Sequence, residues 1–139
     1  MKKARPSPLF TTDLLNLIET GNLEDDLPRI READWVIEVV KEDMKIKKIV
    51  LGNAAPHIGP EAIFTSNTSG LSITEMAAVS SRPERFAGMH FFNPVPVMKL
   101  VEVVTTVSTG NPPQVARTTP SKWPGVWRCT PPAVPARWR

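Results

Sequence analysis

Three short apolar runs constrain the fold: DWVIEVV at 34–40, AIFTS at 62–66 and RFAGMHFF at 85–92. Each has the length of a strand rather than of a helix. The stretches between them carry helical patterns. KEDMKIKKIVLGNAAPHI reads as a helix with Met44, Ile46, Ile49 and Val50 inward and its lysines outward. SITEMAAVSS opens with Ser72-x-x-Glu75, a capping box that starts a second helix. DWVIEVV, a β-branched run, reads as a strand buried on both faces. After RFAGMHFF, the prolines of NPVP break the ladder, and MKLVEVV is the next strand. Ahead of these lie TTDLLNLIET, a helix capped by Thr11 or Thr12, and LEDDLPRIREA, a short helix that tolerates Pro28 only in its first turns, with a short strand between them.

Strands alternating with helices imply parallel βαβ units, so the expected class is α/β, a partial Rossmann-like, doubly wound parallel sheet. In such sheets ligands bind beyond the carboxyl ends of the strands. That rule selects Val40-Lys41-Glu42, Asn67-Thr68-Ser69-Gly70, and His90 to Asn93, each a polar group following an apolar run.

Composition divides the chain near residue 110. Residues 1–110 carry 12 Lys/Arg against 14 Asp/Glu, a balance of −2, whereas 111–139 carry 5 Lys/Arg and no acid. The second part also holds 7 of the 15 prolines and 3 of the 4 tryptophans, with no helical or strand period. The expected division is therefore a domain over 1–108 and an irregular Pro/Arg/Trp-rich tail over 109–139. A basic tail is compatible with an anionic partner, but net charge speaks only to non-specific binding, and no nucleic-acid role is expected. The chain as a whole is 41% hydrophobic and 22% charged, a globular balance. It has no apolar run of membrane-spanning length, no signal-peptide core and a single cysteine, Cys129, from which a cytoplasmic setting is expected. There is no metal-ligand spacing, no P-loop and no G-x-S-x-G.

His90 and Glu102 stand in two neighbouring strand runs that packing alone does not require them to occupy. A histidine acting as a base at neutral pH needs its second ring nitrogen held by an acceptor, and a carboxylate on an adjacent strand supplies one. Taken singly, each candidate also has a plainer account. His90 fits a satisfied core histidine and Glu102 an edge-strand surface residue. The 67–70 segment fits an ordinary turn, and Glu42, Lys45 and Lys47 fit a solvated helix face with an acid in its first turn.

Together, DWVIEVVKEDMKIKK, IFTSNTSGLSITEMA and RFAGMHFFNPVPVMKLVEVV closely resemble the NAD-binding domain of the L-3-hydroxyacyl-CoA dehydrogenases, which oxidise the 3-hydroxyl of an acyl-CoA in fatty-acid β-oxidation. The resemblance covers about residues 1–108, and the head is similar to the multifunctional bacterial members. It implies NAD as cofactor, an acyl-CoA substrate, and a parent enzyme that is homo-oligomeric or multifunctional. It also implies roles. His90 matches the base that takes the hydroxyl proton, and Glu102 the carboxylate that orients it. Ser69 matches a hydroxyl near substrate and nicotinamide, Asn93 a cofactor contact, and Glu42 and Lys47 two NAD contacts.

The family pattern is incomplete here. The family opens with a strand and G-x-G-x-x-G, which the seven glycines of this chain do not form. The family's later P-G-F-x-x-N-R-like segment is also missing, and Asn111 does not take its role. The resulting expectation is an internal fragment with a frameshifted tail, inactive or nearly so by itself. It fails if other reading frames past codon 110 give no family-like sequence. The rival expectation is a catalytically inactive binding or interaction module.

Overall fold

The computed structural model describes residues 12–95, 97, 98, 100–109 and 126–129. The head with Thr11, and most of the tail, lie outside the described residues. A 3-10 helix at Thr12–Leu17 and another at Leu27–Glu32 replace the first two expected helices. Pro28 sits at the start of the second, where its missing N–H costs no hydrogen bond. Among the described residues no strand lies between them, contrary to the expectation. The sheet that follows is built from strand β1 (Trp35–Glu38), helix α1 (Met44–Ala54), β2 (Ile63–Ser66), α2 (Ile73–Ala77), β3 (Phe86–Phe91), β4 (Val101–Val104) and β5 (Val126–Cys129).

The strand order is β1-β2-β3-β4-β5. β1, β2 and β3 are parallel, each joined to the next through a helix, as βαβ connectivity requires. β4 pairs antiparallel to β3, and β5 parallel to β4, so the sheet is mixed rather than wholly parallel. The reversal follows from the connection: residues 92–100 are fewer than the dozen or so that a parallel crossover needs. Within the tail, Val126–Cys129 is regular, running beside β4.

Side chains alternate between two faces of the sheet. On one face Phe64, Phe86, Val36 and Val104 pack with Leu51 and Ala54 of α1 and with Ile73, Met76 and Ala77 of α2. Phe64 and Phe86 meet edge to face with centroids 5.4 Å apart. On the other face Ile63, Ala87, Met89, Val101 and Val103 form a second cluster, with Phe91 against it.

β1 corrects one expectation. Val36 and Glu38 face α1, but Trp35 and Ile37 on the opposite face remain 42% and 39% exposed. β2 is the single strand neighbour of β1, and Trp35 meets Phe91 and Thr65 on that face. α1 corrects another. It is capped by Asp43, whose carboxylate accepts the N–H groups of Lys45 and Ile46, and the residues it buries are Lys47, Leu51 and Ala54. Ile46 and Ile49 are exposed, so the helix is rotated from the expected orientation to bury a lysine. α2 begins as its capping residues imply, with the Ser72 hydroxyl accepting the Glu75 N–H.

Candidate active site

The carboxyl ends of β1, β2 and β3 lie side by side because the three strands are parallel. The Glu42 turn, the Asn67–Gly70 loop and the His90–Asn93 segment therefore share one rim of the sheet. Hydrogen bonds join them. The Asn67 N–H donates to the Glu38 carbonyl (2.9 Å), and the Phe91 N–H donates to the Asn67 side-chain oxygen (2.9 Å). One loop residue thus ties the ends of all three strands.

Glu42 fastens the next two residues. Its carboxylate accepts the Thr68 hydroxyl and the Ser69 N–H, the latter at 3.1 Å, and lies 3.2 Å from the Lys47 ammonium. The Thr68 hydroxyl in turn accepts the Leu71 N–H. The Thr68 hydrogen bond holds the Glu42 carboxyl below its ordinary value of 4.5, assisted by Lys47 and the Ser69 N–H and opposed by partial burial.

Behind this anchor lies a charge pair that sequence reasoning did not single out. Glu38 and Lys47 have side chains only 1% exposed and meet at 2.9 Å and 3.1 Å. The Glu38 carboxylate also accepts the Ser66 hydroxyl and the Val40 N–H. The Lys47 ammonium has three N–H groups and four surrounding oxygens: two of Glu38, one of Glu42 and the Val40 carbonyl. Its donors are occupied by these oxygens, and Lys47 stands buried behind Glu42. The signal in the sequence was a lone acid inside a β-branched run, since a carboxylate buried in a strand requires a cation or donors.

His90 and Glu102 are direct cross-strand partners on β3 and β4. Their side chains share a face, and His90 Nδ1 lies 3.5 Å from Glu102 Oε2. Nδ1 is buried and, among the described residues, accepts or donates no hydrogen bond, Glu102 standing just beyond hydrogen-bond length, while the ring packs against Phe92 with centroids 4.6 Å apart. The His90 side chain is 20% exposed and that of Glu102 is 41% exposed. Two residues along β3, Gly88 makes room on the same face. A Cβ there would come within 2.7 Å of the Ile73 side chain, so the glycine lets α2 settle on the strand that carries His90.

Ser69, Gly70 and Asn93 are exposed on the rim, and a Cβ on Gly70 would meet nothing within 4 Å. In an open α/β sheet, a polar rim at the carboxyl ends of parallel strands is where ligands bind, which places this fold in the Rossmann-like α/β class. The family model for the 3-hydroxyacyl-CoA dehydrogenase, NAD binding domain, matches residues 2–119, and the chain belongs to that family. A probable 3-hydroxyacyl-CoA dehydrogenase of Bacillus subtilis is 41% identical over 109 residues, 77% of this chain and 14% of the relative. The mitochondrial hydroxyacyl-coenzyme A dehydrogenase of Homo sapiens is 42% identical over 100 residues, 72% of this chain and 31% of the relative. The crystal structure of a 3-hydroxybutyryl-CoA dehydrogenase from Escherichia coli K12 matches with a TM-score of 0.69 at 42% identity, over 76% of this chain and 23% of the other. The chain thus spans well under half the length of the curated relatives it matches.

NAD is the family's cofactor. The rim fits part of it: an exposed hydroxyl at Ser69, an exposed amide at Asn93, and a Glu42 carboxylate that is anchored yet 45% exposed. The phosphate-cradling glycine loop is not among these residues.

Proposed function

We propose that the chain forms part of the cofactor domain of an NAD-dependent 3-hydroxyacyl-CoA dehydrogenase, with His90 and Glu102 as its catalytic pair. The observation that carries this reading is the direct cross-strand register of His90 and Glu102, with Nδ1 buried and facing no acceptor except the carboxylate. NAD, when bound, supplies the hydride acceptor. His90 takes the proton of the substrate 3-hydroxyl at Nε2, the ring nitrogen turned away from Glu102. The Glu102 carboxylate holds the proton on Nδ1, which keeps Nε2 free as the base, and then stabilises the imidazolium. Closing Nδ1···Oε2 from 3.5 Å to hydrogen-bond length is a small movement, of the kind that catalytic contacts make when a site fills.

Ser69 and Asn93 face the substrate and cofactor, and Glu42 contacts the cofactor while fixing the Ser69 loop. The substrate class is an acyl-CoA bearing a 3-hydroxyl. Relatives include the Fatty acid oxidation complex subunit alpha of Acinetobacter baumannii, which supports a place in fatty-acid oxidation and within a larger assembly.

The test is NADH formation from (S)-3-hydroxybutyryl-CoA by the purified chain. A low rate is expected, because the chain carries no glycine loop. Replacing His90 by Gln should reduce whatever rate there is by about 10²–10⁴-fold, the usual contribution of a general base, without weakening NADH binding. A His90→Gln variant as active as the parent chain contradicts the assignment.

A further inference from the structure

The Glu38 carboxylate is fully engaged, yet it touches no exposed part of the rim. It accepts from Lys47, Ser66 and the Val40 N–H, and its own backbone carbonyl accepts the Asn67 N–H. A strand needs none of this to pair. A buried ion pair is also not a strong source of stability, since desolvating both charges offsets most of their attraction. What the arrangement does achieve is placement. Val40 N–H and Lys47 together fold the chain sharply from the end of β1 into α1. Lys47 then presents one edge of its ammonium to Glu42. Glu42 holds the Thr68 hydroxyl and the Ser69 N–H.

We propose that Glu38 is a positioning residue for the cofactor rim, acting through Lys47 and Glu42 on the Ser69 loop. The inference rests on the rim being the NAD site described above. The cluster is connected without a gap from a fully buried carboxylate to an exposed loop. It is also unbalanced in charge, with two carboxylates sharing one ammonium, so Lys47 cannot hold Glu42 strongly unless Glu38 fixes where the ammonium sits. Neutralising Glu38 frees Lys47 to move onto Glu42 directly, and the Glu42 carboxylate leaves the geometry that receives Ser69.

Two readouts on the full chain test this. The first is amide hydrogen exchange. In Glu38→Gln, the Ser69 amide should exchange about tenfold faster or more relative to the amides of β2 and β3, the change expected when a charge-assisted hydrogen bond is weakened. The second is NADH affinity in a double-mutant cycle. Glu38→Gln should weaken NADH binding about tenfold in the parent chain and have no further effect in a Glu42→Ala background. Should Glu38→Gln not fold, Ser66→Ala removes one hydrogen bond from the same carboxylate and should move both readouts in the same direction. Ser69 exchange that changes only in step with the β2 and β3 amides, or NADH effects that add in the cycle, would make Glu38 a stability element and overturn the proposal. If the parent chain binds no NADH at all, the cofactor reading fails, and the Ser69 exchange alone still decides for or against Glu38.

Discussion

Removing the Lys47 ammonium leaves the Glu38 carboxylate buried without its cation. Lys47→Met should therefore destabilise the fold by about 3–5 kcal/mol, the cost of breaking a buried pair from one side, as read from urea unfolding. A loss under about 1 kcal/mol, typical of an exposed pair, would mean that the pair is open to water. Glu42 makes a pH prediction. Its carboxyl is lowered in the folded chain, mainly by Thr68, so the folded state binds that proton less readily than the unfolded state. The stabilisation is present above its ordinary value of 4.5 and is lost as the pH falls through the lower folded value. The stability difference between the parent chain and Thr68→Val should be constant above about pH 5 and shrink below about pH 4 in thermal unfolding, the window set by an ordinary carboxylate. A difference that grows on acidification would contradict the assignment. At this scale His90 and Glu102 were legible in the sequence, because a base and an acid in apolar runs stand out. Glu38 was hidden by the same runs, and Lys47 resembled its exposed neighbours Lys45 and Lys41. Which face a lysine takes depends on a partner nine residues away, and helical spacing alone does not report it.

Among the elements, β3 carries the greatest constraint, since it bears His90 on the face that α2 covers. Gly88→Ala would place a Cβ 2.7 Å from one Ile73 carbon and 3.2 Å from Val104 Cβ. Overpacking of this kind costs about 1–3 kcal/mol, so the substitution should lower the unfolding midpoint in urea, and an unchanged midpoint would show that α2 is free to shift. The starts of helices were the most legible local features, as the Ser72 cap shows, because capping depends on neighbours within three residues. The faces of α1 and β1 were not. Ile49 is exposed and Lys47 buried because the sheet beneath α1 ends in Glu38, and Trp35 stays 42% exposed although its ring meets Phe91 and donates to Thr65. Composition cannot reveal which face a neighbour leaves open.

Across the whole molecule, the alternation of strands with helices was sufficient to establish the parallel β1-β2-β3 core and the rim at its carboxyl end. The antiparallel β4 brings Glu102 beside His90, and only the short proline-containing link foreshadowed it. In the proposed function, this rim receives the cofactor. The most direct test is an NADH titration of the isotopically labelled chain followed through its backbone amide resonances. Saturable shifts should concentrate at Glu42, Asn67 to Gly70 and His90 to Asn93. Shifts centred elsewhere, or none at saturating NADH, would contradict it.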